Sequence, residues 1–497
     1  MKNIKYIVIS FATILFAGCN DFLELTPETN EGTTLNFYKN NKDIEYALTA
    51  AYADLQNAQI YRTNLPILID IRSDDMAVFS NIGLNSGREY SIKIFTAASD
   101  LTIFLDAWSK LYEMIYRCNN VIKYADVVNN ATLRVQYEAE ARFLRALCYF
   151  NIVRLWGDAP LILSPLTPSE VANCIRNSTS EVYAAIEADL KFAANPDNLP
   201  KSFSGNNQGR ATSLAAKGLL GKVYLQQKKW TEAKTILGEL INTDNAGTHQ
   251  LLPDIADVFS TAPAHGLDDD QFWAYTGWKP QLMNREIMFC VLFNKDIAGE
   301  GRGLVVHYDR LTDFNEEFVI TSPKCIYDAG DRRSDLLRLM KIAGSSANII
   351  VKYADVVSSL SQYGFCTPIL RWSDILLMYA EAANEAGFDN SAASPALKAL
   401  NDVRTRSFPS GAYTTVDLAS QDAFRRAVWL ERRLEFPIEM QRLFDLQRYE
   451  SVVSGEAIKA MKAIGLDITK DQLLYPIPYM EVSLRNDSAV FPQNPGY

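Results

Sequence analysis

Apolar and small residues recur along most of this chain at the three- and four-residue spacing of one helical face. In residues 41–59 they stand at Ile44, Ala47, Leu48, Ala51, Tyr52 and Leu55. Residues 106–128 repeat the pattern with Trp108, Leu111, Tyr112, Ile115 and Ile122. A long helix is predicted over 132–156, with Gly157 and Pro160 as stop signals, and another over 180–194, ahead of Asn195-Pro196. Within 212–241, Leu220-Gly221-x-x-Tyr224 is followed nine residues on by Ala233, with Lys229-Trp230 at the turn. That spacing fits a tetratricopeptide helix–turn–helix, in which small residues let two helices approach and Tyr fills the space between them. A weaker relative spans 376–406, with Ala382, Ala383 and Gly387 before a second helix from about Pro395; a further pair is predicted from 421 to 449 and onward.

The pattern breaks between about 244 and 362, where Gly, Pro, Asp and aromatic residues follow one another irregularly around one β-like run, 287–293. This stretch is predicted to be long loops with a small hairpin, inserted into the helical framework; loops of such length are often functional. Pro476, Pro478 and Pro495 make 475–497 unsuited to helix, and it is predicted to lie over the body as an extended strap. The fold class is therefore mainly α.

Composition narrows the function. Lys and Arg total 49 against 59 Asp and Glu, a formal charge of -10, and so lack the electrostatic footprint of a nucleic-acid binder. Only three histidines occur, which weighs against His-rich metal sites. Lys2 and Lys5 precede an apolar run over 6–16, too short to span a bilayer, and Leu15-Phe16-Ala17-Gly18-Cys19 closes it in the manner of a lipoprotein signal, although Phe16 stands where Leu is usual. Residues 1–18 are read as a signal peptide, Cys19 as the lipidation site and 19–497 as one domain on a lipid anchor. The other six cysteines contain no CxxC pair; Cys118 and Cys148 are read as buried free thiols.

The familiar catalytic strings HExxH, GxSxG and GxxxxGK[ST] are absent. Gly299-Glu300-Gly301-Arg302-Gly303 has no strand–helix context for a phosphate loop; Asp268-Asp269-Asp270 is an acidic run that could bind a structural calcium, but it lacks the spacing of a calcium loop and is read as a solvated loop, so no cofactor is expected. In Glu431-Arg432-Arg433-Leu434-Glu435 the two glutamates share a helix face and Arg432 can reach Glu435 at i+3, which favours an ion-pair network over a catalytic dyad.

An ordered set of short motifs runs almost the whole length. It begins with Cys19-Asn20-Asp21-Phe22-Leu23 and Leu25-Thr26-Pro27, then Ser73-Asp74-Asp75 and Cys118-Asn119. It continues with Glu140-Ala141-Arg142-Phe143-Leu144-Arg145-Ala146, Trp156-Gly157-Asp158-Ala159-Pro160 and Asp331-Arg332-Arg333. Arg371-Trp372-Ser373-Asp374, Val403-Arg404-x-Arg406, Glu431 to Phe436, Asp445-Leu446-x-Arg448 and the terminal Gln493 to Tyr497 complete it. In these motifs the chain resembles SusD/RagB-type nutrient-uptake outer-membrane lipoproteins. The resemblance implies a right-handed helical superhelix of four tetratricopeptide-like pairs (here about 40–245 and 365–460) packed against a loop-rich, ligand-facing half (about 246–364), with the strap at 473–497. It implies a surface-exposed, non-catalytic lipoprotein that caps a SusC-like TonB-dependent barrel and hands it oligosaccharides or, in some members, peptides.

The residues admit the same chemistry. Sugars present one apolar C–H face and a rim of hydroxyls, which aromatic rings and Asp, Asn, Gln or Arg side chains complement. Phe272, Trp273, Tyr275 and Trp278 put four large rings in seven residues of predicted loop, as a sugar platform or as packing for the loop. The resemblance places ligand contacts near 74–90, which adds Asp74, Phe79 and Arg88; Arg302 and Tyr308 are further loop candidates. A lipid-anchored glycosidase and a tetratricopeptide adaptor without a small ligand are the competing classes.

Overall fold

The computed structural model describes residues 37–76, 86–259, 283–294, 324–337, 339–341, 348–350, 352, 364 and 366–497. Asn40 caps the first helix, α1 (Asn41–Asp54): its side chain accepts from the Lys42 amide at 2.9 Å while Asp43 accepts from the Asn40 amide at 3.1 Å. The face predicted to be apolar buries Ile44, Leu48 and Ala51. An irregular helical stretch over 58–71 leads towards α2 (Ser86–Lys93), and the two long helices follow, α3 (Thr102–Tyr124) and α4 (Ala131–Trp156). Gly157, at φ 75°, ends α4 in a conformation that L side chains avoid, as its place in the sequence implied.

Next come α5 (Pro168–Ala172), α6 (Thr179–Ala194), α7 (Ser213–Gln226), α8 (Trp230–Glu239) and the single turn α9 (Ala256–Phe259). Beyond the insertion lie α10 (Trp372–Ala386), α11 (Pro395–Ser407), α12 (Gln421–Glu435), α13 (Arg442–Val452) and α14 (Glu456–Ala463). Each long helix lies against the next: α1 on α3, α3 on α4, α4 on α6, α6 on α7, α7 on α8, α8 on α10, α10 on α11. This is the stacking of a tetratricopeptide-like superhelix, one continuous core along a curved row of helix pairs. Trp108 of α3 meets Trp156 of α4 edge-on at 5.4 Å, and Arg145 of α4 clamps Asp189 of α6 at 2.7 and 2.8 Å.

The small-residue signature of α7 and α8 does what its spacing suggested. A Cβ on Gly221 would lie inside the side chain of Leu237, and Ala233 is fully buried. Gly221→Leu is therefore expected to destabilise the chain by about 3 kcal/mol, since overpacking a filled interface forces the helices apart. Thermal or denaturant unfolding of the purified variant checks this; an unchanged transition would mean that α7 and α8 do not pack this closely.

Two local expectations are corrected. The β-like run forms β1 (Ile287–Leu292), but its partner is no hairpin neighbour: it pairs antiparallel with β4 (Cys366–Arg371), Ile287 opposite Arg371 and Leu292 opposite Cys366. Met288, Phe289, Cys290 and Val291 are all buried, so the strand needs cover on both faces, and Phe289 packs on Phe143 of α4 at 4.8 Å. The local hairpin is a different one, β2 (Leu339–Lys341) with β3 (Asn348–Ile350).

The tail is likewise not extended throughout. Pro478, extended at ψ 131°, precedes a two-turn helix, α15 (Tyr479–Arg485), because proline blocks a helix that runs into it but not one that starts after it. The remainder does strap the body. The Arg72 guanidinium lies between the Phe95 and Tyr475 rings, 4.3 and 4.0 Å from their centroids, and donates to the Tyr497 hydroxyl at 2.6 Å. Asn494 donates to the Trp156 and Tyr475 carbonyls at 2.9 and 2.6 Å. Cys118 and Cys148 are buried and free, and burial pushes the Cys118 thiol up to about 12. Among the described residues no helix is long and apolar enough to cross a membrane.

Candidate ligand-binding site

The loop-rich insertion is rooted in buried charge. Arg371, at the end of β4, reaches Glu286 at 2.7 Å, Glu435 at 3.0 Å and Glu439 at 2.7 Å. Arg406 shares two of these carboxylates, Glu286 at 2.8 Å and Glu435. Arg333 binds Asp331 at 2.6 Å and Glu431 at 2.5 Å, Arg404 adds a bond to Glu431 at 3.0 Å, and Lys352 binds Glu439 at 2.6 Å. Five cations (Arg333, Arg371, Arg404, Arg406, Lys352) thus meet five carboxylates (Glu286, Asp331, Glu431, Glu435, Glu439), all of them buried or nearly so. Burying such charges is tolerable only because each is paired and hydrogen-bonded. The members lie at the roots of the insertion: Glu286 before β1, Asp331 and Arg333 after 295–323, Lys352 inside it and Arg371 at its close. The lattice therefore fixes the scaffold positions that flank these segments of the chain.

Burial alone would raise the Glu435 carboxyl, but Arg406, Arg371 and Arg333 outweigh it and hold it at about 2. An unfolded glutamate takes its proton near 4.5, so between about pH 4.5 and 2 the unfolded chain binds more protons and stability falls with pH. Thermal unfolding at pH 4.5, 3.5 and 2.5 should show a progressive drop in Tm; a flat profile would contradict the pairing.

A second cluster holds the root of 77–85. Asp74 receives two bonds from Arg442 at 2.7 and 2.8 Å and lies 3.3 Å from Arg433, which donates to Asp75 at 2.7 Å. Burial opposes the Asp74 charge, yet Arg442 and Arg433 hold its carboxyl below the usual carboxylate range; burial raises the neighbouring Asp75. Lys93 donates to the Ser73 carbonyl, and its burial lowers it to about 8. Asp74 is thus a buried brace, occupied by two guanidiniums. Arg88, on α2, is about a third exposed and donates to Glu89. Phe79, Trp273, Tyr275, Trp278, Arg302 and Tyr308, like Cys19 and Asp268-Asp269-Asp270, lie outside the described residues.

The ion-pair reading of 431–435 holds, with one correction. Arg432 does not turn back to Glu435; it crosses to Asp374 of α10 at 2.8 Å and Asp445 of α13 at 3.0 Å, so the pairs join helices rather than staple one. Glu286 and Glu439 belong to no motif singled out above. The signal for Glu286 was a charged residue abutting an entirely apolar strand, which needs a buried partner.

Concave surface remains around this foundation. One cleft of about 430 Å³ lies between α1, residues 206–210 and the end of β1. A second, about 330 Å³ and mostly apolar, has Trp108, Tyr112 and Tyr116 in its walls with Glu481 and Arg485 at its edge. Among the described residues no cluster of three or more His, Cys, Asp or Glu could hold a metal ion.

Comparison with known proteins gives this architecture its class. The SusD family model matches residues 349–497, and the model of a family described as starch-binding, associating with outer membrane, matches residues 21–225. SusD-like protein P2 of Formosa agariphila is 25% identical over 548 residues, covering 100% of both chains. A SusD-like protein of Bacteroides ovatus is 33% identical over 245 residues, 47% of this chain and 41% of that one. The same fold is seen in a laminarin-binding SusD-like protein (TM-score 0.70, 24% identity, 93% of this chain and 100% of that one). It recurs in surface glycan-binding protein A from Bacteroides fluxus (TM-score 0.71, 22% identity, 92% and 99%). The chain belongs to the SusD-like family.

Proposed function

We propose that this chain is a lipid-anchored, surface-exposed glycan-binding protein that captures oligosaccharides and delivers them, uncut, to a SusC-like TonB-dependent outer-membrane transporter, acting as its lid. The observation that carries the reading is the match over 21–225 to a family described as starch-binding and associated with the outer membrane. The ring-bearing stretch 272–278, in an insertion rooted on a rigid ionic lattice, supports it: rings stack on the C–H face of a sugar, and precise roots keep binding loops in register. An acyl chain on Cys19 keeps the protein near the barrel at high effective concentration. A glycan touching both lid and barrel favours the closed state by its differential affinity. Glu431 and Glu435, the carboxylates nearest to a dyad in sequence, are buried and held by guanidiniums, which supports capture without cleavage. The test is purification of the acylated chain from outer membranes. A large β-barrel transporter should co-purify; an acylated, correctly exported chain that repeatedly purifies alone overturns the lid.

A further inference from the structure

The cleft between α1 and β1 is lined by side chains that the fold leaves unused. Asn206, Asn207 and Gln208 stand exposed on its rim, and their carboxamides make no hydrogen bond among the described residues. Gln56, opposite, donates to the Leu292 carbonyl at 2.7 Å, leaving its own carbonyl oxygen unused. Each carboxamide offers donors and an acceptor in one plane, the complement of adjacent hydroxyls. Leu55, Val291 and Leu292 supply apolar wall beneath them, and about 430 Å³ lies within the range of small-molecule sites.

The geometry points to a saccharide-binding cleft here that takes neutral rather than acidic sugar chains. This rests on the glycan-capture reading above and deepens it. The preference for neutral sugar follows from the lining charges. Among the described lining residues Arg210 is the one cation and Glu45 the one carboxylate, and Arg210 is further offset by Glu140, 3.4 Å away. No surplus positive charge is left to desolvate a sulfate or uronate.

The test is affinity electrophoresis of the full chain through native gels containing starch, laminarin, xyloglucan or galactomannan, with alginate as the acidic counterpart. Three proteins are compared: the parent, the triple variant Asn206→Ala, Asn207→Ala, Gln208→Ala, and the double variant Trp273→Ala, Trp278→Ala. The triple variant changes exposed side chains only, so it should fold normally and bind the best neutral polysaccharide about tenfold more weakly. Hydrogen exchange on the parent gives a readout free of mutation: amides of 205–211 should slow when that polysaccharide is bound. A triple variant retarded like the parent, or exchange unchanged at 205–211, overturns the cleft while leaving glycan capture intact. Retardation by alginate alone overturns the neutral class. Retardation by none of the five overturns the cleft together with the reading on which it rests.

Discussion

Arg371→Ala should leave a chain that unfolds with little provocation or fails to accumulate. Removing one partner of a buried ion pair costs about 3–5 kcal/mol, because the other charge stays buried without compensation. Arg371 serves three carboxylates, Glu286, Glu435 and Glu439, so the loss falls at or above the upper end. Whole domains are stable by only about 5–15 kcal/mol, so this single change uses up much of the margin. Arg371→Lys should recover little, since an ammonium cannot present the planar fork that reaches several carboxylates at once. Denaturant or thermal unfolding of both variants beside the parent measures this. A cost below about 1 kcal/mol for the Ala variant would mean that the lattice does not anchor the insertion.

The second large effect concerns binding. Trp273→Ala with Trp278→Ala should lower affinity for a captured glycan at least tenfold, with the thermal transition unchanged. Loss of each stacking ring removes apolar contact and the specific face-on geometry, and about 1.4 kcal/mol is enough for a factor of ten. Packing residues would behave oppositely: their removal would lower the melting temperature and leave binding of the surviving folded protein intact. An adaptor without a small ligand would show neither loss. Calorimetric titration paired with thermal unfolding separates these cases.

The helical half could be read from the chain because its signals are local. The spacing of Ile44, Leu48 and Ala51 and the stop at Gly157 depend on residues within one or two turns, and the close approach at Gly221 is to Leu237 of the very next helix. The pairing of β1 with β4 could not, since Ile287 and Arg371 are brought together by everything between them. The charged motifs lie between these extremes. Arg371, Asp374, Arg404, Arg406 and Glu431 to Glu435 are conspicuous as strings, yet a string does not say which acid meets which base. Helical spacing offered Arg432 to Glu435, whereas burial favoured partners on other helices. Ser73-Asp74-Asp75 shows the same limit: nothing in the string says that Arg442 and Arg433, more than 350 residues away, hold its two carboxylates. The carboxamide cleft is not legible in the sequence because Gln56 and Asn206 to Gln208 carry no periodic signal and meet only in space.

Capture of sugar without chemistry is tested most directly by titrating the folded chain with a panel of oligosaccharides and then analysing the recovered sugar by chromatography. Saturable binding of at least one oligosaccharide, returned at its original length after prolonged incubation, is the predicted result. Shortened products, or peptides bound where every sugar is refused, would contradict it.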